Sequence, residues 1–195
     1  MPGLLREMHR QIPDLSIDLI SGVGDQLATR LIDGELDVVL TAGLVEGLGN
    51  KEFRRDLLGN MDMKVVADPE SRLGRKRKIS ASDLVSVDWV GFYEDEVIVQ
   101  QSRHFLALRG LPPANFVVRS NSPATLTAFL KGTEFISVLI GPLVSAARNA
   151  GLIELQLDEP LWQLPVGLYY RRVAEHSNTL MTFNALCSDA VHVFS

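Results

Sequence analysis

Few of the side chains that could carry chemistry stand where a reaction would need them. The four histidines, His9, His104, His176 and His192, are scattered and share no metal-ligand spacing, so surface or packing roles are their plain reading. The single cysteine, Cys187, falls at helical spacing with Phe183 and Val191, which suits a buried packing thiol better than a nucleophile. Asp33, Glu35 and Asp37 look like a carboxylate cluster, but Asp33-Gly34 is more simply a helix stop and Asp37 a strand entry. Gly22-Val23-Gly24 lacks the third glycine and the strand-ending acid of a dinucleotide site. It reads as a turn that also offers backbone amides to a ligand. The run Arg72, Arg75, Lys76, Arg77, Lys78 reads as a solvated link, with DNA phosphates as the weaker alternative. With no nucleophile–base pair and no metal set, neither an enzyme nor a cofactor or metal centre is expected.

Binding is the better prospect, and four loops could do it. Thr41-Ala42-Gly43 ends an apolar strand and can present a hydroxyl and free amides. Phe92-Tyr93 follows another strand, where an aromatic face could cover a flat or apolar ligand. Ser120-Asn121-Ser122 precedes a helix; Ser122 either caps it or binds a polar group. Gly141-Pro142 closes a further strand.

The elements that must position these loops alternate strand and helix. Residues 4–11 read as a helix stopped by Pro13, and Leu15–Ile20 alternates at period two as a half-buried strand. Asp25 is expected to cap a helix through Leu27, Leu31 and Ile32 to Gly34, and residues 36–40 form a short buried strand. Residues 52–58 and 61–67 look like two strands parted by Gly59-Asn60. After the basic link, strands at 89–92, 116–118 and 135–140 alternate with helices at 96–108, 124–131 and 143–149. In these helices Val97, Phe105, Leu108, Leu126, Phe129 and Leu130 are expected inward. An edge strand at 153–157, a strand at 164–170 and a last helix, capped by Ser177 and carrying Leu180, Phe183, Leu186 and Val191, complete the chain. Such alternation predicts an α/β fold with parallel sheets covered on both faces, and two such units suggest two lobes with a cleft between. Ligands in these folds collect at the carboxyl ends of strands.

Composition agrees with a globular domain: 195 residues, 46% hydrophobic and 22% charged. No run approaches the ~18 apolar residues of a membrane span, and the start lacks a secretory core, so a cytoplasmic protein with no membrane partner is expected. The net charge of −5 argues against DNA binding by this segment alone.

Three stretches resemble the effector domain of the LysR-type regulators. They are residues 4–15, closing in Pro13-Asp14-Leu15; residues 27–40, reading L-A-T-R-L-I-D-G-E-L-D-V-V-L; and Ile79–Leu84 followed by Trp89-Val90. Ile136–Pro142 and Tyr169-Tyr170-Arg171 fall in the same order as in that family. The resemblance implies a periplasmic-binding-protein-like fold of type II, with two Rossmann-like lobes, a ligand cleft and two hinge crossings. Lobe I would hold residues 1–68 and 166–195, and lobe II residues 69–165. It further implies a small-molecule effector, aromatic or carboxylate, near Gly22, Val23, Gly24, Thr41, Ala42, Phe92, Tyr93, Asn121, Ser122 and Gly141. A homodimer or homotetramer would use Leu4, Leu5 and Met8 against Val97, Gln101, Phe105 and Leu108, and DNA would be met only through a winged helix-turn-helix outside this chain.

The sequence departs from the family at Ile12, where an aromatic is usual, and at Val23, where a hydroxyl residue is common. It also begins inside the helix that follows the family's first lobe I strand. A sheet lacking that strand would leave amides unpaired, so a rearranged lobe I is expected. The alternative reading is a free-standing solute-binding protein of a transport system.

Overall fold

The computed structural model describes residues 2–45, 47–49, 51–93 and 96–192. Its contacts divide the chain into two units, Met1–Met61 with Leu164–Ser195, and Asp62–Gln163. The division falls within a strand at one crossing and beside a strand start at the other. The Pro and Gly punctuation lies a few residues further on, at 67–69 and 165–167.

The first unit contains helices α1 (Pro2–Gln11) and α2 (Gly24–Ile32), strand β1 (Val38–Ala42) and the opening half of β2 (Phe53–Ala67). It is completed by β7 (Gln163–Arg171), a 3-10 turn (Arg172–Ala174) and α7 (Asn178–His192). β1 pairs antiparallel with β7, from Val38 opposite Tyr170 to Ala42 opposite Val166. In α2, Leu27 and Leu31 recur one turn apart and meet Val39, Val45, Leu48, Phe53 and Tyr169 in the core. Asp33 closes the helix by donating its amide to the Thr29 carbonyl, and Gly34 takes the left-handed turn at φ 79°.

Leu4 and Met8 share the inner face of α1, which packs on α7. Beneath α7 the Asp56 carboxylate accepts from Tyr170 Oη at 2.7 Å and from Asn184 Nδ2 at 2.6 Å. Burial and this charged neighbour push the Tyr170 hydroxyl up to about 12. Cys187 is fully buried, as its helical spacing suggested. The side chains of Val191 and His192 lie outside the described residues.

The second unit contains α3 (Ala81–Leu84), β3 (Trp89–Phe92), α4 (Glu96–Ala107), β4 (Phe116–Ser120), α5 (Pro123–Leu130), β5 (Ile136–Ile140), α6 (Gly141–Asn149) and β6 (Ile153–Glu154). β3 lies parallel between β4 and β5. The closing half of β2 runs antiparallel to β5, Met63 opposite Ile140 and Ala67 opposite Ile136, with β6 on its other edge. The core joins Val66, Val90 and Leu139 of the strands to Leu126, Leu130, Val144 and Ala147 of α5 and α6. Trp89 is completely buried, donates its indole N–H to the Leu84 carbonyl at 2.8 Å and meets the edge of Phe116 at 5.5 Å.

Several local expectations are corrected. Leu15–Ile20 joins no ladder among the described residues, and Ile17 and Leu19 are exposed. Alternation selects a face; it does not supply a backbone partner, and no described strand provides one. The two strands expected around Gly59-Asn60 are one strand of 15 residues, because Gly59 keeps the strand running with a φ of 154° that glycine adopts readily and other residues rarely do. The sheets are mixed and not purely parallel, because β2 and β7 carry the chain between the units and enter against their neighbours. Asp25 is not the cap of α2: the helix starts one residue earlier, after Val23. In α4 the inward residues are Ile98, Val99, Ser102, Phe105 and Leu106, while Leu108 is 70% exposed. Phe129 of α5 also faces outward in part and stacks on Phe135 at 5.5 Å.

The turn after β2 closes on a buried carboxylate. Asp68 accepts the amide of Glu70 on Oδ1 and that of Gly132 on Oδ2, each at 2.7 Å, and Ser71 Oγ donates to its backbone oxygen at 2.7 Å. Gly74 presses on the same turn: a Cβ there would lie 2.1 Å from the Asp68 carbonyl oxygen and 2.8 Å from that of Pro69.

Gly74→Ala is therefore expected to destabilise the chain by about 1–3 kcal/mol, as overpacking does, read from urea unfolding. Gly3→Ala, with nothing within 4 Å of the added carbon, should be neutral or better. The hydrogen bonds from Gly132 and then Glu70 hold the Asp68 carboxyl below its ordinary value. That stabilisation is present above the unfolded value of about 3.9 and disappears as pH falls through the lower folded value. Asp68→Asn should lower the urea midpoint at neutral pH and flatten this part of the acid limb.

Candidate functional site

In the first unit the candidate loops meet at the start of α2. Val23 is the residue before the helix, with extended backbone, and it makes no side-chain cap hydrogen bond. The first amides of α2 thus lack the acceptor that a Ser or Asp would bring. Thr41, near the carboxyl end of β1, lies against this helix start: a Cβ on Gly24 would sit 3.2 Å from Thr41 Oγ1 and 3.4 Å from Val45. The Thr41 hydroxyl donates to the neighbouring Ala42 carbonyl at a long 3.3 Å, a bond that a better acceptor would displace. Gly43 at φ 93° donates to Pro165 at 2.8 Å and fixes the chain's exit from β1. Gly22, Val23, Gly24, Thr41 and Ala42 therefore bring backbone amides and a hydroxyl to a helix start that has no side-chain cap from Val23. Asp25 is the acid that the first turn itself carries, and its charge opposes a second negative charge at these amides.

In the second unit three strand ends carry the other candidates. The Tyr93 amide donates to the Ser120 carbonyl at 3.1 Å, which brings the Phe92-Tyr93 turn beside the end of β4. Phe92 is partly buried against the unit's core, whereas Tyr93 is 55% exposed. Ser122 caps α5, accepting the Thr125 amide at 3.2 Å, while its own amide donates to Ser120 Oγ at 3.2 Å. Of the two roles weighed for Ser122, capping is the one its geometry displays. Asn121 stands in the turn between Ser120 and Ser122. Gly141 opens α6 immediately after β5, and Ile140 before it offers no side-chain cap, so this helix start is also open.

The amides at Gly22-Val23-Gly24 were expected from the sequence, whereas the cap missing from the starts of both α2 and α6 was not. The signal was there, because each helix follows an aliphatic residue where a Ser, Thr, Asp or Asn would normally stand.

The remaining candidates are placed as follows. Leu4, Met8 and Phe105 are buried within the chain, Leu5, Val97 and Gln101 are half-buried, and Leu108 is exposed. Phe105 is covered by Trp162 at 5.9 Å and by the Arg109 guanidinium at 3.7 Å; Arg109 in turn grips both oxygens of Glu159 at 2.6 Å. That fork holds the Glu159 carboxyl below its usual range. The basic run is largely neutralised by its surroundings: Arg75 pairs with Glu70, Lys76 with Asp83 and Lys78 with Asp158. This favours the solvated link over a phosphate-binding patch. Among the described residues no group of three or more His, Cys, Asp or Glu is arranged to hold a metal ion, and no helix is long and apolar enough to cross a membrane.

Comparison with known proteins gives this geometry a family. The sequence matches the LysR substrate binding domain over residues 1–191. It is 25% identical over 159 residues to the HTH-type transcriptional regulator MetR of Escherichia coli, covering 81% of this chain and 49% of MetR. The chain thus spans about half the length of the curated relatives it matches. Among solved structures, the regulatory domain of Synechocystis CcmR in complex with 2-PG superposes with a TM-score of 0.78 at 19% identity, over 96% of this chain and 89% of that one. The effector binding domain of QuiR in complex with shikimate gives 0.76 at 13% identity, over 97% and 88%. These neighbours have the type II periplasmic-binding-like fold expected from the sequence. The chain belongs to the LysR substrate binding domain family.

Proposed function

We propose that the chain is the effector-sensing part of a cytoplasmic transcription regulator, which binds a small organic molecule and passes the binding energy to a DNA-binding segment outside this sequence. The observation that carries the reading is the pair of uncapped helix starts, α2 beside Thr41 and α6 at Gly141, each at the carboxyl end of a strand. Open amides with a positive helix end suit a carboxylate or another anion-bearing metabolite. The solved relatives named with 2-PG and shikimate support a small polar effector. Relatives named as transcriptional regulators favour regulation over the solute-transport alternative.

In this reading the two units act as lobes, residues 1–68 with 166–195 and residues 69–165, closing on the effector from both sides. Gly22, Val23, Gly24, Thr41 and Ala42 serve from one lobe; Phe92, Tyr93, Asn121, Ser122 and Gly141 serve from the other. A ligand shifts the lobes only by as much as it prefers the closed arrangement. A homodimer or homotetramer would carry that shift onward. The exposed Leu108, with Leu5 and Val97, supplies the apolar surface for it more readily than the buried Leu4, Met8 and Phe105.

Thermal unfolding with a panel of aliphatic and aromatic carboxylates, amino acids and phenols tests the reading. A ligand at a hundredfold excess over its dissociation constant stabilises by ~2.7 kcal/mol, a rise of roughly 5–10 °C for a chain of this size. Thr41→Ala and Asn121→Ala should each reduce the rise while leaving the unliganded melt in place. A hit unaffected by both substitutions would remove these loops from the site.

A further inference from the structure

β1 reads V-V-L-T-A, the composition of a strand held inside a sheet, yet it stands at an edge. Its one strand partner among the described residues is β7, and that pairing runs unbroken from Val38 opposite Tyr170 to Ala42 opposite Val166. Edge strands are normally blunted by a charge, a proline or a bulge, because a free edge is a template for another strand. β1 has none of these. β4, the outer strand of the second unit, is blunted: Arg119 is exposed on it, and Pro112-Pro113 precede it.

One bond shows which way each backbone group of β1 points. The Gly43 amide donates to the Pro165 carbonyl at 2.8 Å, and bonded and non-bonded residues alternate along an antiparallel ladder. Val39 and Thr41 therefore bond to β7, while Val38, Leu40 and Ala42 turn their N–H and C=O groups to the open edge. No backbone group among the described residues meets them there, and the Ala42 carbonyl receives only the long bond from Thr41.

The outward residues are spaced symmetrically about Leu40, and that symmetry selects the partner. A second copy of β1, turned antiparallel about a twofold axis at Leu40, sets Leu40 opposite Leu40 and Val38 opposite Ala42. Each pair then exchanges both of its N–H···O=C bonds. Val39 falls opposite Thr41 between them, so every cross-strand pair is aliphatic or β-branched. Asp37, the nearest charge, falls opposite Gly43, and no like charges meet. Leu40 itself is half-buried and lies outside the core formed by α2, Val39 and Tyr169, which leaves its side chain free to face its own copy.

We propose that the open edge of β1 is an interface for a second copy of this chain, the two β1 strands pairing antiparallel about Leu40. The inference does not rest on the effector reading above, and its test uses no ligand, so either can fail without the other.

Residue-resolved amide exchange of the 195-residue chain, followed from about 10 μM to about 1 mM, tests the proposal. The amides of Val38, Leu40 and Ala42 should exchange freely when dilute and be slowed at least about tenfold when concentrated. Those of Val39 and Thr41, already bonded to β7, should be protected throughout. Leu40→Lys places like charges directly opposite one another, and Leu40→Glu does so with the other sign. Each should lose the concentration dependence while keeping its melt, and an equal mixture of the two should regain it. Ala42→Pro, which removes an outward N–H and no bond to β7, should weaken the effect with Leu40 in place. The proposal is overturned by free exchange at Val38, Leu40 and Ala42 at the highest concentration. Slowing that survives Leu40→Lys and Ala42→Pro, or a mixture that restores nothing, overturns it too. So does slowing shared with the amides of Leu15–Ile20, which would make that segment the added strand.

Discussion

The second unit hangs on one carboxylate that is buried without a cation in contact. Asp68 stands at the end of β2 and reaches across to the Gly132 amide, in the loop that feeds β5. It therefore fixes where one strand ends and its antiparallel neighbour begins, and the pairing of Ala67 with Ile136 follows directly. Charge-assisted bonds to backbone amides are strong and directional, so the register of the two strands is set at this corner. From β5 the order passes to β3 and β4, and the loops at Phe92, Ser120 and Gly141 inherit their positions from it. Gly74 is the steric half of the same constraint, since only a residue without a side chain lets the turn fold back on Asp68.

How much of this was legible in the sequence depends on how local each cause is. The helix that stops at Asp33-Gly34 and the strand that follows could be read directly, because a cap, a left-handed glycine and an apolar run are neighbours in the chain. The same holds for β3 between Trp89 and Phe92 and for α5 with Ser122 as its cap. Leu15–Ile20 has the alternation of a strand and forms no ladder, since pairing is decided by what lies beside a segment. Gly59 looked like a break and stays within the strand, because glycine permits a turn without requiring one. Leu108 sits one position beyond the end of α4, so the helical wheel that turned it inward did not apply. The open helix starts were not visible as a motif, because they are defined by a missing side chain.

The family places a ligand in a domain such as this one, and in the proposed reading the residues around Thr41, Gly24 and Gly141 set the chemistry that ligand must satisfy. Thr41 and the amides at Gly24 form a small polar nest at one strand end, and the amides at Gly141 form another. Asp25 and the largely paired basic run limit where additional charge can go. Such a site rewards small polar molecules with a few well-placed acceptors rather than large apolar ones.

The burial of Cys187 has a practical consequence. Packed at the centre of α7 and with its thiol pushed up to about 12 by desolvation, it carries almost no thiolate at neutral pH and is closed to reagents. A cysteine introduced on the surface would then be the only reactive thiol in the native chain. One on each unit would accept a pair of spectroscopic labels without removing anything native. The distance between the units, and its response to any added molecule, could be followed on a background that the fold itself keeps silent.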